Sequence, residues 1–433
     1  MSEKGSQGNF ENAFSAVPDS QRKSLLSLTV VLAGYPIALS NFVIGGAVGV
    51  GMTFSKALLT LLVGNGVLMA IVLATGYMAY KTGLSTSFLS RRAFGKKGSS
   101  IFSILLAISS VTWISLNGDI FARLIKSTFS WWTLPISITA ILCIALWTQS
   151  AIRGYKGLEI ISFLGVPAAL IMSIVGVIAV GRATGGFGDV FNYVPVNPIS
   201  FTAATSSIIG GWVFGATITP DVCRFAKSTR DLVIGSIVAF TIGCLGLQFA
   251  GALVAISTGN GDFTLAMAAL GLSLIAFIAS IFCLWTTQDN NIYGASLAIQ
   301  NILEETHLKG KVQHKHIALA IAGLAAIFAA FGIFNYILPI IQFLSLLIPP
   351  VSGLIIGEEF FIKNSKENKN VNKIALVSWL IAGIASYISL KADIFVPPIV
   401  GIVTSCLSYI ILSKIFEEKD KNVQDISSER ISV

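Results

Sequence analysis

Gly34-Tyr35-Pro36-Ile37-Ala38-Leu39-Ser40-Asn41 interrupts an apolar stretch near residues 25–50 that also carries Gly45-Gly46 and Gly49. A second stretch, near 203–222, has the same kind of interruption: Gly210-Gly211-Trp212, Gly215, Thr217, Thr219 and Pro220. Runs of this length match a helix crossing ~30 Å of hydrocarbon. Lipid offers backbone groups no partner, so a broken crossing helix has to line an enclosed cavity. Interrupted helices at matching places in two halves point to a transporter with inverted repeats and a midplane site. Taken singly, either stretch also fits the ordinary abundance of Gly and Pro in membrane helices.

The rest of the chain agrees with the membrane reading. Of its 433 residues 54% are hydrophobic and only 12% charged, against roughly a quarter charged in soluble domains. These proportions exclude a cytosolic enzyme, a nucleic-acid binder and a disordered scaffold. A ruler of about 20 apolar residues gives twelve spans, near 25–50, 56–80, 98–125, 133–150, 159–181, 203–222, 232–257, 265–298, 317–334, 337–357, 373–390 and 394–413. The runs are long and do not alternate, unlike barrel strands. The expectation is an all-α polytopic membrane protein. Its parts are a cytosolic tail at 1–24, five-helix repeats at 25–182 and 203–358, two extra helices at 372–414 and a cytosolic tail at 415–433.

Placing the N-terminus inside puts nearly all basic residues in cytosolic stretches, among them Lys4, Arg22, Lys23, Arg91, Arg92, Lys96, Lys97, Lys309, Lys363, Lys366 and Lys414. The exceptions are Lys56, Arg123, Lys126, Arg182 and Lys391. Such asymmetry predicts both termini in the cytosol and a multi-pass protein of the cytoplasmic membrane. It also accounts for the net charge of +8. The polar start of the chain has no apolar core or cleavage site of a signal peptide. Cys143, Cys223, Cys244, Cys283 and Cys406 lie in or beside apolar stretches without CxxC spacing, and read as packing residues.

Polar residues inside spans mark sites or helix interfaces. In the eighth span, Cys283-Leu284-Trp285 leads into Thr286-Thr287-Gln288-Asp289-Asn290-Asn291, six polar residues in succession. The hydroxyls suit a hard cation, and the amides can read donor and acceptor edges; hydrogen bonding between helices is the alternative. Asp289 reads equally as a proton relay or as a pinned carboxylate. The third span offers Ser110, and it sets Trp113 and Asn117 on one face. Asp119 with Arg123 reads as a structural ion pair, and Asp221 with Arg224 as a gate or anchor. Trp131, Trp132 and Trp147 read as interfacial belt residues, and His307, His314 and His316 as members of a solvated loop. The chain has no Walker, GxSxG, HExxH or dinucleotide motif, so neither an enzyme nor an ATP-driven pump is expected.

Several stretches resemble the nucleobase-cation-symport-1 transporters, its cytosine-permease branch in particular. They are Pro18-Asp19-Ser20-Gln21-Arg22-Lys23, Gly45-Gly46-Ala47-Val48-Gly49, Lys81-Thr82-Gly83-Leu84, Thr219-Pro220-Asp221-Val222-Cys223-Arg224-Phe225, Trp285 to Asn290, and Ile348-Pro349-Pro350-Val351. The resemblance runs from about residue 18 to 413. It implies a LeuT-like fold: a 5+5 inverted repeat plus two C-terminal helices, acting as a monomer by alternating access. It further implies a flat heterocycle between Trp113 and Trp212. The ring's edge would be read by Gln288, the opened backbone at Gly210-Gly211, Ser110, Asn117 and Ser40. Sodium, the coupling ion, would take the carbonyls of Gly34, Ile37 and Cys283 and the hydroxyls of Thr286 and Thr287. No other cofactor is implied.

Trp212, Gly211, Gln288 and Ser110 differ from that branch's usual Phe, Ser, Asn and Gln, and the paired tryptophans look more like the hydantoin-transporting branch. The expected activity is sodium-driven import of a nucleobase-type ring, cytosine or a related pyrimidine or purine. Proton coupling, or a hydantoin or hydroxymethylpyrimidine-type ring, is the alternative.

Overall fold

The computed structural model describes residues 15–261, 263–332, 343–344, 346–362 and 369–431. Lys4, Lys363, Lys366 and residues 337–342 of the tenth expected span therefore lie outside the described residues.

The first expected span is two helices, α1 (Leu25–Gly34) and α2 (Leu39–Gly51), bent by 63° at the break. Pro36 has no N–H to donate and its ring cannot sit in a helix interior. Ser24 caps α1 through the amide of Ser27. Then come α3 (Phe54–Thr82), α4 (Thr86–Phe94), α5 (Ser99–Thr128), α6 (Ile136–Ala151) and α7 (Tyr155–Ala183). Ser85 caps α4, and Gly83 ends α3 at φ 70°, a left-handed stop that glycine takes without strain.

The second expected break is not where the glycines suggested. Helix α8 (Phe201–Ile218) runs unbroken through Gly210 and Gly211; the chain leaves α-helical form only at Thr219, before the short α9 (Pro220–Cys223). Glycine permits an opened backbone without requiring one, whereas Pro220 has no amide to continue the ladder. The reading of an opened backbone at Gly210-Gly211 is thereby corrected.

The seventh expected span is α10 (Thr229–Phe240) and α11 (Leu247–Thr258), joined by a π-helical stretch at Thr241–Gly246. That widened turn faces the break in the first span. A Cβ on Gly243 would lie 2.5 Å from the Pro36 ring and 3.1 Å from the Ala33 carbonyl. Helices α2 and α11 touch through small residues: Cβ atoms on Gly45 or Gly251 would meet the opposing backbone, at Gln248 and Phe42. After α12 (Phe263–Ala269) comes α13 (Ser273–Glu304), 32 residues without interruption, then α14 (His314–Ala330), α15 (Pro349–Ile356), α16 (Lys373–Ala392) and α17 (Pro397–Ile431). The expected C-terminal tail is helical as far as Ile431.

Seven helices among the described residues are long and apolar enough to cross a membrane, eight with the bent α1–α2 pair. Leu164, Ile171, Ile174 and Ile178 lie exposed along α7, the reverse of a soluble helix and suited to lipid. The helices sort by packing. Helix α1 lies on α10, α2 on α11 and α3 on α8, while α5, α6, α13 and α14 pack on one another. Helix α7 touches both groups, and α15, α16 and α17 pack together at one side.

Two local readings also change. Trp147 is 1% exposed and packs on Phe121, so it belongs to the core and not to an interfacial belt. His314 is buried at the start of α14, its Nε2 3.0 Å from the Ala151 carbonyl and its ring against Tyr293. A histidine at a helix start can turn inward, which loop polarity alone does not reveal. Asp119 and Arg123 form the expected pair on α5.

Candidate functional site

The break between α1 and α2 faces the polar run of α13. Thr287 Oγ1 lies 2.9 Å from the carbonyl of Ile37, 250 residues away, and 2.9 Å from the carbonyl of Cys283 one turn back. Thr286 Oγ1 is 2.8 Å from Ser162 Oγ on α7. Gly34 presses against that pair: a Cβ there would sit 2.4 Å from both hydroxyls. All five residues expected around a cation are thus gathered where α1, α7 and α13 meet. Their donors are neutral oxygens, the type that suits a hard cation. Ser162 joins them, and sequence reading missed it, because a single serine in an apolar helix carries no signal until the tertiary contact is known.

A chain of three amides, on α2, α3 and α11, reaches the break. Asn41 Nδ2 donates to the Pro36 carbonyl, Gln248 Nε2 to Asn41 Oδ1 at 2.9 Å, and Asn65 Nδ2 to Gln248 Oε1 at 2.7 Å. All three are buried, and the chain pairs amide groups that would otherwise be costly at membrane depth, though Asn65 Oδ1 at its end has no hydrogen-bond partner.

Beside these oxygens is a small cavity of about 40 Å³ lined by Tyr35, Ser40, Trp113, Asn117, Gly211, Trp212 and Asn291, with Thr287 in its wall. Both expected tryptophans border it. Trp212 is packed edge-on to Phe240 and Tyr35 and lies flat against Gly215, where a Cβ would come within 2.5 Å of the indole. Ser110 and Gln288 are buried but are not among the lining residues. The Gln288 side chain is fully enclosed and neither its Oε1 nor its Nε2 has a hydrogen-bond partner. A buried amide left in that state is costly unless a ligand or water completes it. Tyr35, which donates to the Asn290 carbonyl at 3.2 Å, was quoted in the sequence only as part of the break.

The cavity adjoins a larger space. Ser40, Trp113, Asn117 and Gly211 also line a chamber of about 630 Å³ that reaches the α16–α17 connection at Asp393 and Phe395. The other end is closed. Arg22 donates to the carbonyls of Ala226 at 2.6 Å and Tyr80 at 3.2 Å, and the Lys23 amide to Phe225 at 2.8 Å. The Thr86 amide donates to Asp221 Oδ1, Arg224 donates to the Tyr293 hydroxyl, and Arg91 meets Glu304 and Asn301 at the end of α13. Asp221 and Arg224 thus both anchor this end, and Arg224 Nε also donates to the Asp221 carbonyl at 3.1 Å.

Comparisons with known proteins bear on the family and the fold. The family profile described as "Permease for cytosine/purines, uracil, thiamine, allantoin" matches residues 16–412. The cytosine permease of Escherichia coli K12 is 30% identical over 415 residues, covering 94% of this chain and 96% of that one. A purine-uracil permease from Arabidopsis thaliana is 24% identical over 244 residues, 51% of this chain and 40% of its own. Among solved structures, Mhp1, a nucleobase-cation-symport-1 family transporter in a closed conformation with bromovinylhydantoin bound, superposes with TM-score 0.77 at 15% identity, covering 94% of this chain and 96% of that one. A Na+-coupled sialic acid symporter in its outward-open state superposes with TM-score 0.72 at 11% identity, covering 94% and 92%.

Proposed function

The chain belongs to the family of permeases for cytosine/purines, uracil, thiamine and allantoin, and on that premise we propose that it is a symporter importing one planar nucleobase-type ring together with sodium. It is a multi-pass membrane transporter and not an enzyme. The observation that carries sodium coupling is the meeting of the Ile37 and Cys283 carbonyls with the Thr287 hydroxyl, in the same wall that borders the tryptophan-lined cavity. Loss of the cation frees those oxygens to bond one another, so the break would change shape with sodium and carry the change to Trp212 through Tyr35. The ring would stack between Trp113 and Trp212, whose faces favour flat aromatic partners. Asn117, Ser40 and the enclosed Gln288 amide would read its edge, with Gly211 bordering it and Ser110 supporting from α5.

The same reading takes the helices as twelve crossings. α1–α2 to α7 form one five-span half, α8 to α15 the other, and α16 and α17 the extra pair, with both termini on the cytosolic side. The chamber then opens outward, and the Arg22 closure is the inner gate. Alternating access requires the α1, α2, α8, α10 and α11 group to move against the α5, α6, α13 and α14 group, about a site both share.

A proton-coupled second reading rests on Asp289. It is fully buried; its Oδ1 accepts from Ser150 at 2.8 Å, and its Oδ2 has no hydrogen-bond partner. Uptake of labelled cytosine into proteoliposomes, with uracil, adenine and hydantoin as competitors, separates the readings. Accumulation under an inward sodium gradient at equal pH supports sodium. Accumulation only under a pH gradient transfers the role to Asp289.

A further inference from the structure

The wall of the large chamber is not confined to the helices that hold the site. The connection between α16 and α17 contributes Ser389, Leu390, Asp393, Phe395 and the prolines Pro397 and Pro398. Two of these residues have left-handed backbone: Asp393 at φ 54° and Phe395 at φ 59°. Asp393 terminates α16, a place where left-handed residues are common. A bulky aromatic residue in that region is a genuine outlier, and such strain persists only where the surroundings enforce it. Here the Ser389 hydroxyl donates to the Ile394 carbonyl and the Ile394 amide to the Ser389 carbonyl, which clamps the turn. The strain yields little packing in return, for Phe395 is left 74% exposed on the chamber.

We propose that Phe395 and Asp393 form a second, outer subsite that holds the planar heterocycle before it reaches the tryptophan pair. The Phe395 ring supplies a stacking face and the Asp393 carboxylate an acceptor for ring N–H donors, while Ser206 and Ser207 on α8 border the same space. This rests on the transport reading above and adds a residence point on the route. The chamber's volume of about 630 Å³ exceeds a single ring several-fold, and its floor is the four residues it shares with the central cavity. A ring held at Phe395 therefore sits in line with the site.

An outer subsite on the path changes rates in both directions and leaves the central equilibrium constant alone. The test is stopped-flow tryptophan fluorescence on purified full-length protein with cytosine as probe, or with uracil, adenine or hydantoin if cytosine does not bind. Phe395→Ala and Asp393→Asn are each expected to slow association and dissociation together by about threefold or more, with the central Kd within about twofold. Phe395→Tyr is expected to restore the rates. Phe395→Gly removes the ring and the left-handed strain at once, so it is expected to keep or raise the melting temperature while slowing association as Phe395→Ala does. Unchanged rates in Phe395→Ala and Asp393→Asn, in a protein that binds one of the rings, overturn the subsite alone. A raised Kd with unchanged association overturns it as well, placing the residues at the central site. Failure of the wild-type protein to bind any of these rings overturns the proposed nucleobase-type substrate and the subsite with it.

Discussion

The hydroxyl of Thr287 bridges the carbonyls of Ile37 and Cys283 at 2.9 Å each, joining the one bent membrane span to the middle of the longest helix in the body of the site. The break and α13 are therefore linked at a point where a cation would find three oxygens already turned toward one another.

Thr287→Ala removes one of those oxygens and takes the hydroxyl donor away from the Ile37 carbonyl, whereas the Cys283 carbonyl keeps its helical amide. Sodium stimulation of ring uptake is expected to disappear, and the sodium concentration for half-maximal binding to rise more than tenfold, in keeping with about 1.5–3 kcal/mol for a bond to a charged partner. Thr287→Ser should keep most of it. Sodium titrations monitored by tryptophan fluorescence would record the shift; a Thr287→Ala protein with normal sodium response would refute the assignment.

Gly34→Ala drives a methyl group to 2.4 Å from the hydroxyls of Ser162 and Thr286. One of the two has to yield, at about 1–3 kcal/mol. Sodium affinity should fall while folding yield and ring stacking survive in part. The combination Gly34→Ala with Ser162→Gly is expected to recover some sodium response by making room, and equal loss in the single and double variants would place the defect elsewhere.

Trp113→Ala takes one face off the ring site. Base–aromatic stacking is worth about 1–3 kcal/mol, so ring Kd should rise roughly 30-fold with the sodium affinity of the ring-free protein unchanged. Equilibrium binding of the wild-type ring to the variant decides this, and an unaltered Kd contradicts the sandwich.

Arg22→Ala opens the closed end. Arg22 supplies two bonds to the carbonyls of Tyr80 and Ala226, and their loss should shift the balance toward the inward-open state by about tenfold. Ser228 caps α10 two residues after Ala226, and Ser228→Cys should then react faster with a polar thiol reagent added from the cytosolic side in inside-out vesicles. No change in that rate would mean the closure is held by the Arg91 and Asp221 bonds alone.

Much of this was legible in the chain, and the reasons are physical. The apolar runs announce spans by length. Among the described residues seven helices, or eight with the bent pair, are long and apolar enough to cross a membrane, against the twelve runs counted in the sequence. Thr286 to Asn291 declares itself because six polar residues cannot face lipid, and all of them are buried. The break at Pro36 was readable because proline removes an amide. The break at Gly210-Gly211 was misread because glycine only permits what proline compels, and α8 keeps its hydrogen bonds there. Ser162, Trp147 and His314 were beyond reach for another reason. Each owes its place to a partner more than a hundred residues away or to burial that only the assembled helices create. Tyr35 shows the boundary well: it was visible as part of the break, but its position on the cavity wall between Trp212 and α13 depends on the 63° bend itself.

In the proposed mechanism ring and sodium share one structural element, the bend that presents Ile37 to Thr287 and Tyr35 to Trp212. Linkage then requires each ligand to tighten the other by the same factor. The most direct measurement is calorimetric titration of sodium into the purified protein without a ring and with a saturating one, and of the ring with and without sodium. The account predicts that the ring lowers the sodium Kd and that sodium lowers the ring Kd by an equal factor, about tenfold or more for a typical coupling of 1–3 kcal/mol. Sodium binding indifferent to the ring, or ring binding indifferent to sodium, would contradict it.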